Sequence, residues 1–176
     1  MSSRCVIIGA GHGAAQLCSS LRQGGWEEGI TLIGDEPTLP YHRPPLSKTL
    51  LDATRNHELT LIRPEAFFED NGIEVLSATW AERIYRQNKT IIADGREIAY
   101  GKLVLATGSL HCRPPVSGVD HPRVFNLRTA EEASRIRDIA AKSSRAVIIG
   151  AGFIGLEVAA SLRKLGLEVT VLELAP

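Results

Sequence analysis

Two glycine turns limit what this chain can fold into. At Cys5-Val6-Ile7-Ile8-Gly9-Ala10-Gly11-His12-Gly13-Ala14 an apolar run stops in glycines, and a helix-like segment follows. The same grammar returns at Ala146-Val147-Ile148-Ile149-Gly150-Ala151-Gly152-Phe153-Ile154-Gly155. A short unbroken apolar run predicts a parallel strand covered on both faces. Gly9 and Gly150 permit the tight turn. Gly11 and Gly152 let backbone approach a pyrophosphate, and Ala14 and Gly155 take the small position where helix and strand pack closely. The helices, predicted over about 13–23 and 153–165, would aim their first amides and their dipoles at phosphates. One such turn is a weak signal. Two, each followed by a strand ending in an acid, predict two dinucleotide-binding βαβ units.

The acids sit where ribose contacts belong. Asp35 and Glu36 follow a predicted strand at Ile30–Ile33, and Glu173 follows one at Glu168–Leu172. Asp35 lies 26 residues past Gly9 and Glu173 lies 23 past Gly150, about where a carboxylate accepts from ribose hydroxyls. A plain surface turn is the alternative at Asp35-Glu36-Pro37. Glu173 would bond the adenosine ribose and repel a 2′-phosphate, which favours NADH over NADPH.

Composition removes other classes. The chain has 176 residues, 44% hydrophobic content and a formal net charge of zero, so a buried core is expected and disorder is not. The neutral balance, with no basic stretch interleaved with aromatics, gives no reason to expect nucleic acid. The apolar runs are far shorter than the ~18 residues of a membrane span, so no membrane partner is expected. The N-terminal run is too short for a secretory signal, which leaves the cytoplasm as the expected location. Cys5 and Cys18 fall on a strand and a helix pattern and predict buried free thiols. His111, Cys112 and His121 lack metal-ligand spacing, so no metal site is expected.

Between the turns lies Leu39-Pro40-Tyr41-His42-Arg43-Pro44-Pro45-Leu46-Ser47-Lys48. The prolines predict an extended loop, with Ser47 capping a short helix over 48–51. Residue by residue this is a loop carrying two cations, Arg43 and Lys48. Further on, Pro64 and Gly72 bound a short helix containing Phe67 and Phe68, which are expected in the core. A strand is expected at about 59–62 and another at 73–76, with a hairpin over 80–93 in which Trp80 packs. Lys102–Leu105 runs into the small-residue turn Ala106-Thr107-Gly108. Thr129 and Glu132 form a capping box, and the helix carries Ile136 and Ile139 at i, i+3 spacing.

Taken together, Gly9-Ala-Gly11-His-Gly-Ala14, Ile33-Gly34-Asp35-Glu36-Pro37, Leu39-Pro40-Tyr41 and Arg43-Pro44-Pro45-Leu46-Ser47-Lys48 resemble the opening of the FAD-dependent NADH:ferredoxin reductases. These serve Rieske-type aromatic-ring dioxygenases and some bacterial P450 systems, within the pyridine nucleotide-disulfide oxidoreductase superfamily. The disulfide reductases of that group carry two nearby cysteines early in the FAD domain, and this chain does not.

The resemblance implies a fold class and a site. The fold would be α/β and FAD/NAD(P)-binding Rossmann-like, with parallel sheets and a small antiparallel element, truncated relative to the family. Residues 1–112 would be the first segment of an FAD-binding domain, 113–144 a linker and leading helix, and 145–176 the first βαβ unit of an NAD-binding domain. Arg43 and Lys48 would contact FAD, with Lys48 near the flavin N5 and Pro44 beside the ring. His42 stands where the family often has an acid and is expected to face solvent. Backbone near Ala81 would meet the adenine, Ala106-Thr107-Gly108 matches the exit from the FAD domain, and Arg113 stands at a flavin-proximal position. Glu157 matches a glutamate near the nicotinamide. His12 and Gly13, and Phe153 and Ile154, complete the cofactor-binding set at the openings of the two helices.

The implied activity passes electrons from NADH through FAD to a ferredoxin-type iron–sulfur protein, with no catalytic acid or nucleophile. A related reductase would use rubredoxin, oxygen or a nitrite reductase partner instead. A third reading is a non-catalytic dinucleotide-binding piece, because the family's later segments lie beyond these 176 residues.

Overall fold

The computed structural model describes residues 3–52 and 58–174. The chain forms two compact units, Met1–His42 with Thr60–Ser109, and Arg43–Leu59 with Leu110–Pro176.

In the first unit β1 (Cys5–Ile8) leads into α1 (His12–Gln23) and β2 (Ile30–Ile33). After α2 (Glu65–Asp70) come β3 (Ile73–Leu76), β4 (Ala81–Tyr85), β5 (Thr90–Ala93), β6 (Arg96–Ala99) and β7 (Lys102–Leu105). The parallel sheet has the order β3-β2-β1-β7, with Cys5 opposite both Ile30 and Lys102. β1 and β2 are buried along their whole length, as their unbroken apolar runs require. Ile7 and Leu32 pack with Ala14, Cys18 and Phe68 on one face. Val6 and Ile33 pack with Ile91, Ala93 and Tyr100 on the other. Each fully buried Ile or Leu contributes about 1.5–3 kcal/mol, so this sandwich holds the first turn rigid.

The antiparallel sheet has the order β4-β5-β6, with a register shift between Ala81 and Arg83. β6 has no counterpart in the sequence reading, because Arg-Glu-Ile-Ala offers too little alternation to mark a strand. Trp80, expected to pack, is 61% exposed and leads into edge strand β4, most of whose residues are exposed. The strand expected at 59–62 is reduced to an isolated bridge between Tyr41 and Leu61.

The second unit holds α3 (Ala130–Ala140), β8 (Arg145–Ile149), α4 (Phe153–Lys164) and β9 (Glu168–Leu172). β8 pairs with β9 in parallel, Arg145 opposite Glu168. The capping box forms: Glu132 N–H donates to Thr129 Oγ1 at 3.2 Å, and Thr129 N–H to Glu132 Oε2 at 3.0 Å. Ala140, Leu162 and Leu167 form the core with Ile136 and Ile148. The inward stripe of α3 is Ala133, Ile136 and Ala140, and Ile139 is 37% exposed.

The proline segment is not extended. It makes a 3₁₀ turn, Pro44–Ser47, and then a second, Thr49–Leu51, which pack against α3 and α4 and bury Leu46, Leu50 and Leu51. Prolines at the start of a helical turn lose only amides that lack intrahelical partners, and their φ already suits the turn. Ser47 caps nothing, and its hydroxyl is used elsewhere. Among the described residues no helix is long and apolar enough to cross a membrane.

Candidate functional site

The first turn is built where strand ends meet. Gly9 N–H donates to the Ile33 carbonyl at 2.8 Å, and Ala106 N–H donates to the Ile8 carbonyl at 2.7 Å. Gly9 has φ +105°, and a Cβ there would overlap the Ala106 carbonyl. Both constraints demand glycine. The chain leaving β7 therefore passes directly against the turn, which places Ala106 and Thr107 beside Gly9. Gly11 caps α1, and Cβ atoms at Gly11 and Gly13 would meet nothing within 4 Å. The helix opens onto clear space with its first-turn amides unclaimed by the helix itself.

The acids after β2 differ from each other. Asp35 is exposed, whereas Glu36 accepts the Tyr41 hydroxyl at 2.5 Å from a tyrosine only 4% exposed. Thr79 N–H donates to the Gly34 carbonyl at 2.8 Å and Ala78 N–H to the Glu36 carbonyl at 2.9 Å. These bonds bring the chain that leads to Ala81 alongside the same rim. Gly34 was missed as a site residue: a Cβ there would come within 2.5 Å of the Ala10 Cβ. No sequence signal marks it, because the requirement arises from tertiary approach. His42, expected to face solvent, is half-buried and meets His12, Nδ1 to Nε2 at 3.1 Å.

The second turn uses the same parts with different constraints. Gly150 has φ +104° and donates to the Leu172 carbonyl at 2.8 Å, yet a Cβ there would meet nothing within 4 Å. Gly155 is the crowded position, since its Cβ would overlap the Gly150 carbonyl. Gly152 caps α4, and Phe153 and Ile154 at the helix opening are 92% and 59% exposed. Glu173 reaches back over the turn: Ala151 N–H donates to its Oε2 at 2.6 Å and Leu174 N–H to its Oε1 at 2.8 Å.

The cationic segment and α4 are joined within the second unit. Lys48 Nζ lies 3.3 Å from Glu157 Oε1, and the Ser47 hydroxyl donates to Glu157 Oε2 at 2.5 Å. Ser161 Oγ donates to the Ser47 carbonyl at 2.8 Å, a third tie. The Ser47 bond, and after it Lys48, hold the Glu157 carboxyl below the usual glutamate range. Arg43 donates to the Arg128 carbonyl at 2.6 Å, next to the capping box of α3. Pro44 opens the 3₁₀ turn and is exposed. Arg113 pairs with Asp120 at 2.5 Å across an exposed loop, a bond of little energetic weight.

Cys5 and Cys18 are buried, as expected, and Cys112 is exposed. Burial pushes Cys18 up to about 11 and raises Cys5, so neither is a thiolate at neutral pH. Among the described residues no group of three or more His, Cys, Asp or Glu is gathered as a metal centre needs.

Known proteins share this arrangement. The profile of the family described as "Pyridine nucleotide-disulphide oxidoreductase" matches residues 3–176. A rhodocoxin reductase of Rhodococcus erythropolis is 45% identical over 169 residues, covering 96% of this chain and 40% of that protein. A ferredoxin–NAD(P)+ reductase of Sphingomonas sp is 43% identical, covering 96% and 41%. The solved structure of a ferredoxin reductase from Rhodopseudomonas palustris superposes with a TM-score of 0.93 at 44% identity, over 99% of this chain and 43% of that one. The chain thus spans about two-fifths of the length of the relatives it matches. With the profile running over nearly every residue and both glycine turns built as described, the chain belongs to the pyridine nucleotide-disulphide oxidoreductase family.

Proposed function

We propose that the protein carrying these residues is a flavoprotein reductase that takes electrons from NADH through FAD to a ferredoxin-type iron–sulfur protein in the cytoplasm. The observation that carries this reading is the pair of glycine turns, each opening a twelve-residue helix and each followed by a strand with an acid at its tip. A diphosphate fits both turns. The Cβ positions of Gly11, Gly13 and Gly152 are open, with no side chain or distant backbone within 4 Å of them.

The two turns take different dinucleotides. We assign Gly9, Gly11, His12, Gly13, Ala14, Asp35, Glu36, Ala81, Ala106, Thr107 and Gly108 to FAD. Arg43, Pro44, Lys48 and Arg113 join them on the family resemblance. We assign Gly150, Gly152, Phe153, Ile154, Gly155, Glu157 and Glu173 to NADH. Residues 1–112 then belong to the FAD-binding domain and 145–176 to the NAD-binding domain. Bound FAD would supply the exchange between a two-electron donor and a one-electron acceptor.

The residues bind and orient. Glu173, held by Ala151 N–H, keeps one face of its carboxylate on the turn, where it favours ribose hydroxyls and repels a 2′-phosphate. Lys48 presents a cation fixed by Glu157, suited to developing negative charge. The relatives named for rhodocoxin and ferredoxin support an iron–sulfur acceptor. The test supplies NADH and, side by side, a [2Fe–2S] ferredoxin, rubredoxin and oxygen, and follows NADH loss. Fastest turnover with the ferredoxin is the expected result. Equal rates with all three, or none with any, would defeat the proposal.

A further inference from the structure

The first unit holds a cleft that none of the residues assigned to FAD or NADH lines. Its two sheets pack face to face over Val6, Ile33, Ile91 and Tyr100. Beside that core a cavity of about 410 Å³ stays open, lined by Arg4, Glu74 and Leu76 and by all four residues of β6. Small-molecule sites span about 300–1,000 Å³, so the space suits a ligand. Cross-strand neighbours share a face of their sheet. Arg96 lies opposite buried Ala93 and Ile98 opposite buried Ile91, so Arg96 and Ile98 project towards the parallel sheet. Glu97 alternates with them and projects to the outer face. On the facing sheet Glu74 lies opposite Thr31, itself opposite Val6, and Leu76 lies opposite Ile33. Glu74 and Leu76 therefore project into the same space.

The polar wall is fixed from beneath. Thr31 is 0% exposed, and its hydroxyl accepts from Arg4 Nη1 at 2.8 Å and donates to Glu74 Oε2 at 2.9 Å. Arg4 also pairs directly with Glu74, so its charge is matched. Arg96 is exposed and makes no hydrogen bond or ion pair with any described residue. One unmatched guanidinium thus stands on the same cleft as Leu76 and Ile98, which are half-buried against the inter-sheet core. A guanidinium takes a carboxylate through two parallel N–H bonds. Glu74 in the same wall repels a second negative charge, which selects monoanions over sulfate or phosphate. We propose that this cleft binds an amphiphilic monocarboxylate, with its carboxylate on Arg96 and its apolar body against Leu76 and Ile98.

The experiment titrates sodium benzoate into the nitrogen-15-labelled chain and follows its amide resonances. One saturable site is expected, with shifts centred on residues 74–76 and 96–99 and not on the glycine turns. Benzamide keeps the ring without the charge, and sodium acetate keeps the charge without the ring. Each should bind about 10-fold more weakly than benzoate, as should sodium sulfate. Arg96→Gln should lose about 10-fold in benzoate affinity, while its unshifted resonances elsewhere show that the fold is kept. Glu74→Gln should narrow the gap between benzoate and sulfate. Shifts centred on either glycine turn, benzamide or sulfate binding as tightly as benzoate, or undiminished binding in Arg96→Gln would overturn the proposal.

Discussion

The first glycine turn and the second share a motif but are constrained by different neighbours. At the first, β1 lies between β2 and β7 in a four-stranded sheet, and the chain leaving β7 presses on Gly9. At the second, β8 pairs only with β9 among the described residues, and a Cβ at Gly150 would meet nothing within 4 Å. Crowding falls on the first glycine in one turn and on the last small residue in the other. There Ala14 is tolerated at 0% exposure, whereas a Cβ at Gly155 would strike the Gly150 carbonyl. The capping dihedrals also differ, with φ −94° at Gly11 and −68° at Gly152. A shared sequence pattern specifies a turn, but the surrounding strands decide which glycine is indispensable.

The largest expected effect separates the turns outright. Gly9→Ala combines positive φ with overlap against backbone and should cost about 3 kcal/mol or more in urea unfolding. Gly155→Ala meets backbone without positive φ and should cost roughly 1–3 kcal/mol. Gly150→Ala has only the conformational penalty, about 1–2 kcal/mol. Equal losses at Gly9 and Gly150 would show that strand packing around the turn is irrelevant. In the reverse direction, Ala14→Gly adds a helical glycine and should cost about 1 kcal/mol, at the lower end of the loss expected for the mirror change at Gly155.

The smallest effect concerns the contacts of α4. Ser47→Ala removes the bond that does most to lower the Glu157 carboxyl, so that carboxyl should titrate at higher pH when followed by carbon-13 NMR. A group with a lowered folded pKa stabilises fully above its unfolded value and loses that contribution as pH falls through the lowered one. Acid unfolding should therefore begin at higher pH in Ser47→Ala. An unchanged Glu157 titration would mean that Lys48 alone sets it.

Much of this was legible from residue order. The unbroken apolar runs of β1 and β2 identified buried parallel strands, and Thr129 with Glu132 identified the start of α3, because both signals are local. The proline segment was misread, since Pro44 and Pro45 suit an extended loop and the first turn of a 3₁₀ helix equally well. Burial of Leu46, Leu50 and Leu51 against α3 and α4 selects the latter, and no local pattern reports it. Trp80 is exposed for the same reason: that the strand it leads into is an edge strand is a property of the sheet. At the site, the glycines and acids were visible by spacing. Gly34, the tie between Ser47 and Glu157, and the meeting of His12 with His42 arise only when distant segments come together.

The central claim is that the two turns serve different dinucleotides in one reductase. Anaerobic stopped-flow on the FAD-loaded protein carrying these residues tests it most directly. NADH should bleach the flavin's visible absorbance, NADPH should do so far more slowly, and Glu173→Ala should narrow the difference between them. Flavin that NADH leaves oxidised, or a preference for NADPH that Glu173→Ala does not alter, would contradict the account.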